Sequence, residues 1–215
     1  MIGPNLGLVR PLSGIRRAQF VSQVTSILGA APIAGFMPLL TDTTTSLCPW
    51  SGRTWTADAT MAGQLTAQGN GVTRAFVAAS SRYLTTPDTA DLSFNTGGLT
   101  DLPFTVLTLD TVTDTALTRM IAGKSATGQL EYQIYYTNGD KLNCVLWDNS
   151  AATFAARTSD AVITQGSWHL FGMTYDGSGG ATAGNGITLY QDGAVIASTA
   201  TNNAGYVAME DLAAA

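Results

Sequence analysis

Two neighbouring stretches decide the fold: Trp-His-Leu-Phe-Gly-Met-Thr-Tyr-Asp-Gly at 168–177, and Ile-Thr-Leu-Tyr-Gln-Asp-Gly-Ala-Val-Ile-Ala at 187–197. Both carry β-branched and aromatic residues, which favour strands. Each also contains Asp-Gly, a dipeptide that supplies the positive φ angles of a tight hairpin turn. In the second stretch Tyr190 lies between Leu189 and Gln191, an alternation that suits a half-buried strand. The two stretches therefore predict paired antiparallel strands.

Further strand-like runs surround these two stretches, separated by turn residues such as Asn-Thr-Gly-Gly at 95–98. After Pro32, no stretch of ten or more residues has a persuasive helical period. The pattern predicts an all-β protein, an antiparallel jelly-roll sandwich built from sequential hairpins. The further predicted strands are Thr73–Phe76, Phe104–Leu109, Leu117–Ala122, Leu130–Thr137 and Lys141–Trp147.

The hairpin in the middle of the chain has a register that the residue types predict. A two-residue turn would place polar Gln133 opposite apolar Cys144, whereas a three-residue loop at 138–140 places Tyr136 opposite Leu142. The longer loop keeps each face of the hairpin chemically uniform, and we therefore predict it. The core face expected from this register consists of Tyr132, Ile134, Leu142, Cys144 and Leu146.

Composition sets limits on function. Charged residues make up 12% of the 215 residues and hydrophobic residues 45%, whereas a typical soluble domain is about 25% charged. The net charge of −5 argues against nucleic-acid binding, which needs clustered Lys and Arg. No run of 18 apolar residues predicts a membrane span, and the start of the chain lacks the pattern of a signal peptide.

The first 34 residues form a basic, apolar arm. No acidic residue precedes Asp42, and three arginines give this part a charge of +3, while seven basic and fifteen acidic residues give the remainder −8. Apolar spacing predicts a short amphipathic helix over 13–28, with Ser13 as N-cap and Gly29 as its stop. The arm packs on its own domain or docks on a neighbouring subunit, and membrane-surface binding is a third alternative. The residues predicted to form the assembly arm are Arg16, Arg17, Phe20, Val24 and Leu28.

The two stretches at 168–177 and 187–197 resemble the paired strands of the laminin G-like, concanavalin A-like jelly-roll superfamily. Upstream, Phe76–Phe94 and Phe104–Leu109 are similar to other strands of this family. The resemblance implies a laminin G-like jelly roll over residues 35–215.

The chain departs from the family after its second hairpin. Members of the family normally continue through strands that close the sandwich, but here Asn202–Asp211 follows and the sequence reaches Ala215. We therefore expect either a truncated chain or a sandwich that lacks its closing strands. An uncovered sheet edge promotes aggregation, so the arm or a neighbouring subunit is expected to cover it.

Catalysis is not predicted. Enzymes of this superfamily hydrolyse glycans with paired carboxylates, which must lie about 5–9.5 Å apart. The chain has two glutamates, Glu131 and Glu210, and the same-face neighbours of Glu131 on its strand are Gln133 and Tyr135 rather than carboxylates. His169 has no evident nucleophile as a partner, so it is interpreted as a strand residue with a hydrogen-bonded ring.

Calcium is common in the laminin G-like branch, and the resemblance implies Asp88 and Asp91 as the best local pair of ligands. Calcium takes about 6–8 oxygen ligands, so two carboxylates form a weak pattern. No other cofactor is predicted.

A ligand-binding face is predicted on the side of the central hairpin opposite the core. Aromatic rings stack on flat sugar rings, and amides supply hydrogen bonds. The alternative is that the arm or a partner subunit covers this face. The candidate residues are Glu131, Gln133, Tyr135, Asn143, Trp147 and Asp148.

These patterns favour a non-enzymatic structural protein of a larger assembly and predict a homo-oligomer. Phage virions carry proteins similar to this one, so we expect a head-decoration, tail or baseplate component assembled in the host cytoplasm. The alternative is a lectin-type module that binds a glycan on a cell surface. A glycan hydrolase is the least favoured function.

Overall fold

The computed structural model describes residues 22, 26, 45–47, 54–57, 65–68, 71–74, 83–97, 99–112 and 116–213. The chain divides into two compact units, Met1–Pro87 and Asp88–Ala215. In the arm only Ser22 and Ser26 are described, both as helical. The rest of the predicted helix lies outside the described residues, as do its assembly residues and the predicted boundary after residue 34. All three stay predictions. No helix in the described ranges is long and apolar enough to cross a membrane.

The first unit contains short antiparallel strands. Strands β1, β2 and β5 form one sheet, and β3 pairs with β4 as a hairpin. The predicted strand at Thr73–Phe76 overlaps β4, although Phe76 lies outside the described residues. The strands are β1 (Thr45–Leu47), β2 (Thr54–Ala57), β3 (Leu65–Gln68), β4 (Gly71–Arg74) and β5 (Leu84–Thr85).

The second unit is an antiparallel sandwich, which confirms the predicted fold class. One sheet has the order β14-β10-β9-β8-β7 and the other the order β13-β12-β11-β6. Its described strands are β6 (Phe104–Thr111), β7 (Arg119–Ala126), β8 (Gln129–Tyr136), β9 (Leu142–Asp148), β10 (Thr153–Ser159), β11 (Trp168–Tyr175), β12 (Ile187–Gln191), β13 (Ala194–Val195) and β14 (Ser198–Thr201).

An aromatic cluster joins the inner faces of the two sheets. Phe104 of β6 stacks on Phe94 with ring centroids 4.3 Å apart, and it also contacts Tyr132 of β8 at 5.2 Å. The edge of Tyr175 meets the Phe104 ring at 6.0 Å. Offset and edge-to-face aromatic pairs add to the free energy of burying their area, so this cluster fixes the spacing of the sheets.

The predicted register of the central hairpin is confirmed. Tyr136 lies opposite Leu142 across a loop of three residues, 138–140. The residue with positive φ is Asp140 (54°) rather than Asn138 or Gly139, as in a type I turn followed by a left-handed residue. The predicted core residues of the hairpin are all buried: Tyr132, Ile134, Leu142, Cys144 and Leu146.

The Asp-Gly turn predicted after Gln191 is also present. Asp192 and Gly193 both have positive φ, 52° and 81°, and Gln191 pairs with Ala194, as in a type I′ hairpin. This turn divides the single predicted strand at Ile187–Ala197 into β12 and β13. In the second unit two strands were not predicted, β10 and β14, because their sequences are rich in Thr, Ser and Ala and show no clear apolar alternation.

The segment at 203–213 follows β14 and is not a strand in the described chain. It nevertheless inserts Tyr206, Ala208 and Met209 into the interior, where each is at most 1% exposed. The chain itself therefore fills part of the sandwich for which the sequence predicted no closing strands.

Candidate functional site

The residues predicted to form a ligand face lie on β8 and β9, or at their ends, in the middle of the five-stranded sheet. Gln133, Tyr135 and Trp147 are half-buried, with side chains opposite the core. The other three are buried: Glu131 has 0% of its surface exposed, Asp148 4% and Asn143 6%. The structure thus divides the predicted face into an accessible and a buried half.

Glu131 leaves the outer face because a β-bulge interrupts β8. The register with β7 passes from Lys124 opposite Tyr132 to Ser125 opposite Leu130, so no residue of β7 faces Glu131. A bulge re-aims a side chain and breaks the alternation of faces. Glu131 and Tyr132 are accordingly both buried. The prediction for Glu131 assumed strict alternation and is wrong about its exposure.

The buried Glu131 carboxylate belongs to a cluster around Lys124. The Lys124 Nζ lies 2.8 Å from Glu131 Oε1, 2.8 Å from Asp88 Oδ1 and 3.5 Å from Asp211 Oδ1, and it donates to Ser93 Oγ. Burial lowers the pKa of Lys124, but its hydrogen bonds to Asp88 and Glu131 outweigh that effect and raise the pKa overall. The ammonium therefore stays charged and faces three carboxylates.

The predicted calcium ligands have other surroundings. Asp88 binds Lys124, so an ammonium supplies the positive charge that the prediction assigned to a metal ion. Asp91 is exposed in a 3-10 turn, Ala90–Leu92. The described ranges contain no group of three or more His, Cys, Asp or Glu residues that could hold a metal ion.

The segment at 203–213 is held by buried carboxylates instead of a strand partner. Three of its backbone amides donate to side chains that come from the loop before β6, from β8 and from the end of β9. We call these three acceptors the anchoring carboxylates. Val207 N–H donates to Asp148 Oδ2 (3.0 Å), Met209 N–H to Asp101 Oδ1 (2.7 Å) and Leu212 N–H to Glu131 Oε1 (2.7 Å).

Asp101 is the anchoring carboxylate that joins two tyrosine hydroxyls to the segment. Its Oδ2 accepts the hydroxyl protons of Tyr175 at 2.6 Å and Tyr206 at 2.8 Å, in addition to the amide of Met209 on Oδ1. Burial raises the pKa of Asp101 despite these three donors. The pKa of Glu131 is also raised by burial, against the hydrogen bond from Lys124. Sequence reasoning missed Asp101, because one aspartate in a loop carries no pattern that distinguishes it.

An aromatic pair occupies the accessible half of the predicted face. The rings of Trp147 and Phe154 lie 5.1 Å apart at an angle of 51°, and the two residues are opposite each other in the β9–β10 ladder. Trp147 Nε1–H donates to Gln133 Oε1 at 3.3 Å. Phe154 was missed because β10 was missed. Asn143, by contrast, accepts a hydrogen bond from the Thr158 hydroxyl at 2.8 Å and supports the sheet.

The outer side of the four-stranded sheet carries a second accessible surface, which we call the leucine face: Leu107, Leu109, Trp168 and Leu170. Leu170 is opposite Leu109, and Gly172 is opposite Leu107. A Cβ at Gly172 would lie 2.7 Å from Leu107 Cδ2, so the glycine leaves room for this leucine to lie across the strand. These four side chains are 38 to 51% exposed. Trp168, the first residue of β11, thus lies on the outer surface of the sheet.

His169 ties the end of β11 to the β12–β13 turn. Its Nδ1 lies 2.6 Å from Asp192 Oδ2, and the other carboxylate oxygen accepts the Leu170 amide at 3.0 Å. The hydrogen bond with His169 lowers the pKa of Asp192. This pair fixes the turn beside the leucine face.

Comparison with known families agrees with this architecture. A family model described as the concanavalin A-like lectin/glucanases superfamily matches residues 78–211, well over half of the chain. The chain belongs to this superfamily. No curated protein and no solved structure matches the chain. The match covers the whole sandwich and most of the segment held by the anchoring carboxylates.

A superfamily named for lectins and glucanases includes both sugar binding and sugar hydrolysis, and the two glutamates of this member are both engaged. Glu131 is bound by Lys124 and by the amide of Leu212. Glu210 accepts the amide of Ser150 at 3.1 Å. The accessible side chains on the outer sides of the two sheets are mainly aromatic, aliphatic and amide groups. Such groups can make van der Waals contacts and hydrogen bonds.

The raised pKa values of Asp101 and Glu131 make stability depend on pH. A carboxyl whose pKa is raised in the folded state binds a proton more readily when folded, so its contribution to stability falls as pH rises through that pKa. Relative to Asp101→Asn, which cannot titrate, the wild type should therefore gain free energy of unfolding as pH falls from neutral toward the ordinary aspartate pKa of about 4. Denaturant unfolding across this pH range measures the difference.

The control is Asn138→Ala, which replaces an exposed side chain that cannot titrate and lies outside the cluster. Its pH profile should run parallel to that of the wild type. Parallel profiles for the wild type and Asp101→Asn would contradict the assignment of Asp101 as a buried carboxyl with a raised pKa.

Proposed function

We propose that this chain is a non-enzymatic assembly protein, a lectin-like sandwich that forms a homo-oligomer through its leucine face. The observation that carries the proposal is the exposure of four large apolar side chains on one sheet surface: Leu107 at 51%, Leu109 at 50%, Leu170 at 39% and Trp168 at 38%. Contiguous apolar patches rimmed by polar residues mark interaction sites on soluble proteins.

Covering the leucine face would release free energy. Full burial of a large apolar side chain is worth about 1.5–3 kcal/mol, so burying the exposed half of each leucine contributes roughly 1 kcal/mol. The pleat of the sheet places these side chains in adjacent rows, since Leu170 lies directly opposite Leu109. A partner can therefore cover all of them with one surface.

The surroundings of the carboxylates support a function without catalysis. A glycosidase acid or nucleophile must reach a sugar, but Glu131 has no exposed surface and is paired with Lys124. Freeing Glu131 would leave the Lys124 ammonium with fewer counter-charges in a buried site, which is energetically costly. The cluster is suited to holding the fold together.

We propose further that the assembly is a phage virion, in which the chain decorates the head or belongs to the tail or baseplate. It is supported by the resemblance of the sequence to proteins of such particles and by the sparse charge of the chain. A surface with few charges is suited to subunits that are largely covered by neighbours.

Glycan binding is the second candidate, and the Trp147–Phe154 pair favours it. The two rings form an aromatic surface on the five-stranded sheet, beside the Gln133 amide that holds the indole N–H. Tyr135 lies on the same face, one alternation further along β8. A sugar ring could stack on the aromatic pair and exchange hydrogen bonds with the amide and the phenol.

The assembly proposal predicts that a charge on the leucine face abolishes self-association. The wild type should sediment as an oligomer whose mass is concentration-dependent, and Leu109→Asp should sediment as a monomer with an unchanged circular dichroism spectrum. The matched control is Leu99→Asp, because Leu99 is 77% exposed but lies in a loop and not on the outer face of the four-stranded sheet. Analytical ultracentrifugation measures all three proteins.

A wild type that is monomeric at every concentration would contradict the proposal. The same conclusion would follow if Leu109→Asp and Leu99→Asp behaved alike.

The glycan candidate predicts that Trp147→Ala weakens binding to any sugar that the wild type retains on a glycan array, by about tenfold or more, roughly 1.4 kcal/mol. Tyr83→Ala is the matched control, since it removes an exposed aromatic ring that lies outside the five-stranded sheet and the leucine face. Absence of any array signal from the wild type, or equal losses in the two variants, would count against a sugar site at Trp147.

A further inference from the structure

We infer that the occupant of the leucine face is the N-terminal arm, residues 13–28, of a neighbouring copy. This inference rests on the proposed function and names the partner segment. The arm lies almost entirely outside the described residues, and its apolar and charged residues are known from its sequence.

The chemistry of the sheet surface selects an apolar partner. Outward-facing positions on β6, β11 and β12 are apolar, Gly or Thr, without one charged residue among them. The outward-facing positions are identified by the alternation of exposed and buried residues along β6 and β11 and by the pairing of β11 with β12. These positions are Thr105, Leu107, Leu109, Thr111, Trp168, Leu170, Gly172, Thr174, Thr188 and Tyr190.

The arm supplies a matching apolar surface. Its large apolar side chains recur at helical spacing over 13–28, so a helix would present them as one stripe. The polar residues of the arm, including Arg16 and Arg17, fill the other side of such a helix. The apolar positions are Ile15, Phe20, Val21, Val24, Ile27 and Leu28.

The lengths also agree. A helix of residues 13–28 would be about 24 Å long at 1.5 Å per residue. Strands β6 (Phe104–Thr111) and β11 (Trp168–Tyr175) each span about 26 Å at 3.3 Å per residue. One helix along these two strands would cover the leucine face from end to end.

The distribution of charge favours the arm, and not the four-stranded sheet of a second copy, as the occupant of the leucine face. All basic residues of the second unit lie on or beside the strands of the five-stranded sheet: Arg119, Lys124, Lys141 and Arg157. The loops of the four-stranded sheet have Asp176 and Asp192 instead, which are both exposed, and Asp192 lies at the turn beside the leucine face. Two such sheets packed face to face would bring acidic rims together. Residues 13–28 of the arm contain Arg16 and Arg17 and no acidic residue, so their charge complements the rim.

Arm exchange would link copies head to tail, because each copy offers one arm and one leucine face. Such a contact is heterologous, so it builds rings or open chains of subunits. It gives the assembly protein a specific mode of self-association.

A mixing experiment with the full-length chain tests this inference. Val24→Asp disables the arm and Leu109→Asp disables the leucine face, so each variant alone should sediment as a monomer. An equimolar mixture should form a heterodimer, in which the intact arm of the Leu109→Asp copy binds the intact face of the Val24→Asp copy. Native mass spectrometry distinguishes this heterodimer if one variant is isotope-labelled. Val24→Leu is the matched control and should assemble as the wild type does.

The other outcomes overturn the inference in distinguishable ways. If Val24→Asp assembles like the wild type while Leu109→Asp is monomeric, the arm is not the occupant, but the leucine face remains the interface. If both variants are monomeric and the mixture forms no heterodimer, the arm does not bind this face of another copy. If Leu109→Asp assembles like the wild type, the proposed function fails together with the inference.

Discussion

The sandwich depends on three buried carboxylates that accept backbone amides from a segment without a strand partner. A buried N–H needs an acceptor, because leaving it unpaired costs about as much free energy as a lost hydrogen bond. The segment at 203–213 buries Tyr206 and Met209, and the amides of Val207, Met209 and Leu212 find their acceptors in Asp148, Asp101 and Glu131. Strand pairing is thus replaced here by bonds from side chains to the backbone.

These carboxylates carry a desolvation cost, and their neighbours offset it. Lys124 neutralises part of the charge around Glu131, while two tyrosine hydroxyls solvate Asp101. A bond between an ionised acceptor and its donor is stronger than a neutral one, which offsets part of the cost of removing the carboxylate from water. The charges that this sparsely charged chain has are therefore partly used inside the sandwich. Its outer sheet faces are left with apolar, hydroxyl and amide groups, which are suited to contact with other molecules.

The sequence could predict what depends on local alternation. The register around 138–140 follows from pairing like with like, and the Asp-Gly turn at 192–193 follows from its positive φ angles. Both features are determined by residues that are close together in the chain. The superfamily itself was also identifiable, because its characteristic strands are continuous stretches of sequence.

What could not be predicted depends on irregularities and on distant contacts. The bulge at Glu131 reverses the direction of one side chain, and no residue type in this part of the sequence predicts a bulge. Phe154 was missed because β10 is built mainly from small and polar residues. The role of Asp101 as an anchor could not be predicted because it depends on Met209, which lies 108 positions later in the chain. These features are set by the packing of the whole sandwich. The division of the predicted ligand face and the role of the anchoring carboxylates therefore became visible only in the three-dimensional structure.

The most direct test of the account is native-state hydrogen exchange at the three anchored amides, Val207, Met209 and Leu212. Amides bonded to buried acceptors open only when the local structure unfolds, so they exchange slowly. The account predicts protection at these three sites comparable to that of the paired amides in the middle of β8 and β9. Exchange at the rate of an unstructured chain, with β8 and β9 still protected, would show that the carboxylates do not hold this segment and would contradict the account.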